Sequence, residues 1–331
     1  VTTAGGTYVV PQSADRRRAR RRAAWRRRGT VALFMSPWIA GFTIFFGYPL
    51  VMSGYYSLTH YDLLSPPRWV GLANYRYLFT VDQTVWPAVR NTLWLIVFMV
   101  PLQVLFALGV AMLVARARRG VGLFRTVFYL PALAPPVAAT LGFVYLLNPA
   151  TGPVNVVLSH LGIQGPLWFD SPTWSKPSLT LLALWGIGNT MIIFLAAVID
   201  VPRHLYESAE LDGAGAFQRM RYVMLPSISP VILFAVVFGV IDALQYFTQA
   251  YVASTIAGGN ASAAGAGATS LGYPENSTLF YPVLLYQQGF DYFNMGYASA
   301  MAVLLLAVSL VFVLLLIRYS RRWVHYAGGG H

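Results

Sequence analysis

Apolar positions along this chain fall in runs too long for the helices of a soluble domain and too unbroken for half-buried strands. Six stretches stand out, at about 31 to 57, 88 to 114, 124 to 147, 178 to 200, 227 to 254 and 296 to 318. A hydrocarbon layer about 30 Å thick takes roughly 20 apolar residues of helix to cross, and each run reaches that length. Backbone groups inside lipid have no water to bond to, so each run is expected to be helical. The pattern predicts an all-α membrane protein with a six-helix transmembrane domain over 31–322. On either side lie an arginine-rich tail at 1–30, read as disordered, and a short C-terminal tail at 323–331. An even number of crossings puts both termini on one side. Proline falls inside the spans, at Pro37 and Pro49, at Pro101, and at Pro131, Pro135 and Pro136. Each removes a donor and bends a helix, and the third span is expected to be broken outright.

Composition agrees with a polytopic membrane class, since 57% of the 331 residues are hydrophobic and 10% charged. The net charge of +12 suggests nucleic acid until it is mapped: nine of the 23 basic residues lie between Arg16 and Arg28, directly before the first run. With Arg116, Arg118, Arg119, Arg125, Arg203, Arg219, Arg221, Arg318, Arg321 and Arg322, they place 19 basic residues on one face. Only Arg68, Arg76, Arg90 and Lys176 fall on the other. The positive-inside bias predicts cytoplasmic termini and a cytoplasmic segment 203–226. It assigns the charge to topology and membrane lipids, with no nucleic acid partner. The first run is too long for a signal peptide, and no small-residue cleavage site closes it. With no cysteine, disulfides and thiolate metal sites are excluded. The one lysine, Lys176, sits between Ser175 and Pro177, so the chain has no Gly-Lys-Ser/Thr phosphate loop and no ATPase site of its own.

Polar residues within the spans are the next candidates, because burial without a partner is costly. Asp242, Gln245, Tyr246 and Gln249 follow i, i+3, i+4 and i+7 spacing in the fifth span. On a continuous helix, at 100° per residue, the last three lie within roughly 60° of Asp242. Acid, amide and aromatic groups together suit a neutral polyol. Asn189 in the fourth span and Gln103 in the second are candidates to join them along a solute path. Interhelical hydrogen bonding is the structural alternative. Nucleophile, base and metal constellations are missing, and the five histidines lie outside the spans or at their edges, so no catalytic residue or metal site is expected. A secondary transporter remains as an alternative, although Asp242 is the one deep carboxylate and no inverted repeat is evident. The long connection at about 255 to 295 opens with a Gly/Ala/Ser-rich stretch, Ala257 to Ser270, that reads as a flexible linker. An aromatic and amide-rich stretch follows, suited to a soluble partner, a solute path or plain interfacial packing.

The segment from Glu207 to Pro226 is too patterned to be a plain connector. Glu207, Glu210 and Asp212 come first, then Gly213 and Gly215, then Arg219 and Arg221, which predicts two short helices around a glycine turn. Glu207-Ser208-Ala209, Gly213 and Val223-Met224-Leu225-Pro226 resemble, in spacing throughout, the EAA motif of permease subunits of binding-protein-dependent ABC importers. Ser208 and Val223 depart from that pattern in residue type. Ser36 to Leu50, Ser57-Leu58 and Val70 to Tyr75 are similar to the opening of MalF-type carbohydrate permeases. The turn that usually follows the fifth span in those permeases is replaced here by Thr255 to Asn260. The resemblance implies a type I importer permease (MetI-like) fold in a bacterial plasma membrane. It also implies a second, MalG-type permease subunit, two ATPase subunits that bind ATP-Mg, and a solute-binding protein. Glu207, Ser208, Ala209, Glu210, Asp212, Gly213, Ala214, Phe217, Leu225 and Pro226 are the residues it implies for coupling to the ATPase. The expected solute is a sugar, with a glycerol-phosphate-type solute as the alternative.

Overall fold

The computed structural model describes residues 14–117, 120–262 and 271–320. Residues 1–55 and 56–331 form two compact units. In the first, α1 (Ala14–Phe42) runs through a π-helical turn, Thr43–Gly47, into α2 (Tyr48–Tyr56). Residues 29–56 are long and apolar enough to cross a membrane. Contrary to the expectation of a disordered tail over 1–30, residues 14–30 are helical, because arginine and alanine are good helix formers and the run continues a helix already nucleated. Residues 1–13 and the 323–331 tail lie outside the described residues.

The second unit opens with a two-residue antiparallel pairing, β1 (Thr59–His60) with β2 (Arg68–Trp69). It continues through α3 (Ala73–Thr80) into the second span, formed by α4 (Val85–Trp94), a π-helical turn at Leu95–Met99, and α5 (Val100–Arg116). The third span is broken as expected: α6 (Val121–Tyr129), a 3₁₀ turn at Leu130–Leu133, then α7 (Pro136–Leu146) at 98°. After α8 (Pro153–His160), the fourth span is also broken, into α9 (Ser175–Trp185) and α10 (Gly188–Asp200) at 52°. Then come α11 (Arg203–Leu211), α12 (Ala216–Arg219), a π-helical turn at Met220–Met224, α13 (Leu225–Ser227) and α14 (Ser229–Leu244), bent by 68° at Ile228. The predicted fifth span does not continue to 254 as one helix. The chain leaves helical geometry at 245–247 and resumes as α15 (Thr248–Ser262). Last are α16 (Tyr281–Tyr286), a π-helical turn at Gln287–Asp291, and α17 (Met295–Ser320). Three helices are by themselves long and apolar enough to cross a membrane, and counting each bent pair as one span gives six among the described residues.

Proline acts here in two ways. The π-helical turns at 43–47, 95–99 and 220–224 each end two residues before a proline, Pro49, Pro101 and Pro226. Widening the turn absorbs the ring's clash with the preceding turn without breaking the helix. In the third span Pro135 and Pro136 follow each other, and the residue before a proline avoids helical geometry. Ala134 and Pro135 are therefore extended, with ψ of 132° and 134°, and the span breaks.

The core lies where α10 packs along α5, with α14 against both. Leu95, Met191 and Phe194 are fully buried there. The segment after 270 turns inward: Phe280, Val283 and Leu284 are buried. Asn91 Nδ2 donates to the carbonyls of Asn276 (2.7 Å) and Leu279 (3.0 Å), while Asn91 Oδ1 accepts from Lys176 Nζ at 3.0 Å. The serine hydroxyls of Ser175 and Ser277 are 2.8 Å apart, and Thr92 Oγ1 accepts from the Tyr281 amide at 2.9 Å. Residues 277–284 thus supply packing, one of the three readings open from sequence, while Phe290, Tyr292 and Phe293 are exposed. The helix α15 takes in residues 257–262 of the expected linker, whose remaining residues, 263–270, are not among those described.

Candidate functional site

A cavity of about 400 Å³ opens where three spans break. Its wall includes Pro131 and Ala134 from the break of the third span, Gly186 from that of the fourth, and Gln245 to Thr248 from that of the fifth. In lipid, non-helical backbone is tolerated where it is buried in protein or lines a cavity. The three breaks therefore explain one another.

Each break has a different local cause. Prolines make the first. Two glycines flank the second, and Gly188 is required there, since an added Cβ would stand 2.8 Å from the Phe128 carbonyl oxygen and from Tyr129 Cα. The start of α10 thus lies directly on the end of α6. The third break contains neither proline nor glycine. There the Tyr246 ring sits edge-on to Phe280, with centroids 5.7 Å apart, and Phe247 packs on Tyr251 and Tyr286. Aromatic burial against the inward-turned segment overrides the local helical preference. The end of α14 closes with tighter bonds, from the Gln245 amide to the Asp242 carbonyl and from the Tyr246 amide to the Ala243 carbonyl.

Of the solute-path residues expected from sequence, Gln103, Asp242, Gln245, Tyr246 and Gln249 all line this cavity. The reason is not the one the spacing supplied, since no continuous helix carries them and the break itself turns them together. Asn189 is exposed and is not part of the wall. It lies one residue into the helix beyond the break, which rotates it away. Gln103 Nε2 reaches the Ala183 carbonyl at 3.3 Å, tying the second span to the fourth beside the cavity. Sequence reasoning missed Trp185, which lines the cavity and packs on Phe143 with ring centroids 5.5 Å apart. The mid-span pair Gly186 and Gly188 was its available signal. Asp242 is the one charged side chain in the wall, and no basic residue lines it. The Tyr246 hydroxyl is buried and, among the described residues, is the one buried side-chain polar atom without a partner.

The second predicted site is the segment 203–226, and here two short helices do flank a glycine turn. Gly213 has φ +78°. The Ala214 amide donates to the Ala209 carbonyl at 2.9 Å and the Gly213 amide to the Glu210 carbonyl at 3.0 Å. These paired bonds are a Schellman closure, which places a left-handed residue at the position Gly213 occupies. The Gly215 amide donates to Gln218 Oε1 at 2.8 Å at the start of the second helix, and Arg219 pairs with Glu210 across the turn. Glu207, Ser208 and Asp212 are exposed, while Ala209 and Ala214 are half-buried. Phe217 is exposed, and so is Leu211, 90% exposed and not singled out from the sequence. Leu225 and Pro226 sit half-buried at the foot of the span.

Residues 103–326 match the family described as "Binding-protein-dependent transport system inner membrane component". The chain is 37% identical over 294 residues, 88% of its own length and 91% of the other's, to the probable ABC transporter permease protein YesP of Bacillus subtilis. It is 28% identical over 325 residues, 96% of each chain, to the arabinooligosaccharides transport system permease protein AraP of the same organism. A chain from the crystal structure of a bacterial ABC transporter involved in the import of the acidic polysaccharide alginate superposes with a TM-score of 0.71 at 26% identity. The match covers 92% of this chain and 99% of that one.

Proposed function

The chain belongs to the inner membrane components of binding-protein-dependent transport systems, and from that premise we propose that it forms one half of the path by which an ABC importer takes up a neutral carbohydrate. The observation that carries this reading is the cavity at the three breaks. Its acid and amide side chains and the aromatic residues Trp185, Tyr246 and Phe247 offer acceptors, donors and flat apolar surface to a polyol. The charge pattern narrows the class. A phosphate or uronate solute wants a cation, and this wall holds a carboxylate and no base. Within this half of the path, that favours a neutral solute over a glycerol-phosphate-type one. Relatives named for arabinooligosaccharides support an oligosaccharide as the cargo.

Half a path needs a second permease subunit to complete it. Energy would come from ATP-Mg hydrolysed in two separate ATPase subunits, and cargo from a solute-binding protein on the opposite side of a bacterial plasma membrane. The segment 203–226 would face the cytoplasm and dock in the ATPase. Leu211 and Phe217 supply apolar anchors there, and the closed turn at Gly213 gives a rigid body that transmits movement. Movement of the ATPase pair would reach α14 through α12 and the Pro226 turn, and α10 through the short link to α11. Both helices border the cavity breaks, so displacing them biases the path between inward-open and outward-open states.

The test is uptake by cells whose own copy is replaced by Asp242→Asn or Gln245→Ala. Loss of one hydrogen bond to a charged group is worth about ten-fold, and reduced uptake of neutral oligosaccharides on that scale is expected for Asp242→Asn with membrane levels unchanged. A panel of neutral and uronate oligosaccharides should stimulate ATP hydrolysis by the purified assembly with the neutral ones alone. Unchanged uptake in both variants would reduce the cavity to packing.

A further inference from the structure

A second cavity, about 390 Å³, lies where the Arg116 end of α5 and the end of α10 meet α11, which begins at Arg203, and α12. Its floor is apolar, with Met112, Val198, Val201 and Met224, while Arg116, Arg203 and Arg219 stand at its edge. Arg219 is neutralised by Glu210, but among the described residues Arg116 and Arg203 make no ion pair. Tyr206 joins the same wall, where burial raises its hydroxyl's pKa and the nearby Arg116 and Arg219 oppose that rise.

This cavity does not end at its own floor. It shares Met112, Arg116 and Met220 with an apolar groove of about 550 Å³ that runs up α5 past Leu113, Gly109, Leu105 and Leu102. At 1.5 Å per residue the groove from 102 to 113 is about 16 Å long, close to one leaflet of a hydrocarbon core about 30 Å thick. An open apolar groove one leaflet long that ends at Arg116, with Arg203 in the adjoining cavity, has the length and charge order of a lipid.

We propose that the groove along α5 and the basic cavity at its end together bind one anionic phospholipid, its phosphate between Arg116 and Arg203 and an acyl chain against Leu105 and Gly109. Bound there, the lipid ties the ends of two spans to α11 and so stiffens the link between the segment 203–226 and the spans it joins. The site does not depend on which solute is carried.

The experiment is native mass spectrometry of the full chain, with whatever subunits co-purify in mild detergent, titrated with long-chain phosphatidylglycerol or phosphatidylcholine. Each basic residue near an anionic headgroup contributes about 1 kcal/mol, so the two arginines should favour phosphatidylglycerol by about thirty-fold. Arg116→Gln with Arg203→Gln should bring the two lipids to near parity, and Arg221→Gln should not. Gly109→Leu is a second probe. An added Cβ there meets nothing within 4 Å, and leucine is the better helix former, so this variant fills the groove without weakening the fold. It should lower affinity for both long-chain lipids alike. Parity in the unaltered protein, or a preference untouched by the double variant, would overturn the proposal. So would displacement of the lipid by millimolar inorganic phosphate, which would mark a free-anion site. Cross-linking of a Leu105→Cys variant to a second subunit would show a protein in the groove and overturn it too.

Discussion

Single side chains do unequal work in this molecule. Asn91 is buried and joins three separate stretches of chain through its two carbonyl contacts and its contact with Lys176. Asn91→Leu would leave two carbonyls and an ammonium without their partner. Two neutral hydrogen bonds and one to a charged group sum to about 3 kcal/mol, so a clear drop in thermal unfolding temperature in detergent is expected. An unchanged melting curve would mean that water replaces all three contacts. Tyr246 makes the opposite case. Its hydroxyl is buried with no partner among the described residues, a cost of about 1 to 3 kcal/mol, so Tyr246→Phe should stabilise the fold by about 1 kcal/mol. If the same variant slows uptake, the hydroxyl finds its partner in another conformation or in the solute. Stabilisation with normal uptake would confine its role to packing. Neither role could be read from the sequence, because both depend on chain segments far apart in number: Asn91 meets the 276–279 stretch, and Tyr246 meets Phe280.

At the level of elements, local chemistry predicts some breaks and not others. The double proline at 135–136 marked the third span, and the structure breaks there. The break at 245–247 carries no such mark and exists because aromatic residues on either side of it pack elsewhere. The turn at Gly213 was legible, as its acidic, glycine and basic order matches a helix, a turn and a helix. Its geometry sharpens the test, since the space around Gly213 is open and only φ is restrictive. Gly213→Val should therefore fail through backbone strain of about 1 to 2 kcal/mol, abolishing uptake while the protein still reaches the membrane. Asparagine tolerates the left-handed region, so Gly213→Asn should keep most of the uptake. Equal loss in both variants would point to steric exclusion by a docked partner.

The whole molecule is a set of apolar helices that leaves many large apolar side chains uncovered, Leu105, Leu123, Leu310 and Leu314 among them. Lipid and neighbouring subunits are the natural cover for such surfaces in a membrane protein. The sidedness read from the basic residues is open to direct measurement because the chain has no cysteine. A single cysteine at Ser208 should resist a membrane-impermeant thiol reagent in intact cells, and one at Asp62 should react. The reverse pattern would invert the proposed orientation and move the coupling role elsewhere. A mild-detergent pull-down belongs to the same scale: a Walker-motif ATPase and a second six-span permease are expected with the chain, and recovery of this chain alone would count against the assembly.

The sequence by itself determined the class, the approximate positions of the spans and the turn at Gly213. Each of these is written in contiguous residues and needs only bilayer thickness, solvation and local backbone preference to read. Tertiary structure decided where the cavity lies. Five of the six polar residues picked out from the spans do meet there, but through three helix breaks rather than along one helix face, and Asn189 is carried away from it. That outcome depends on the close approach of α10 to the end of α6 at Gly188, and on the burial of Tyr246 against Phe280. Contacts between distant segments set both, and hydrophobic periodicity along one span cannot encode them.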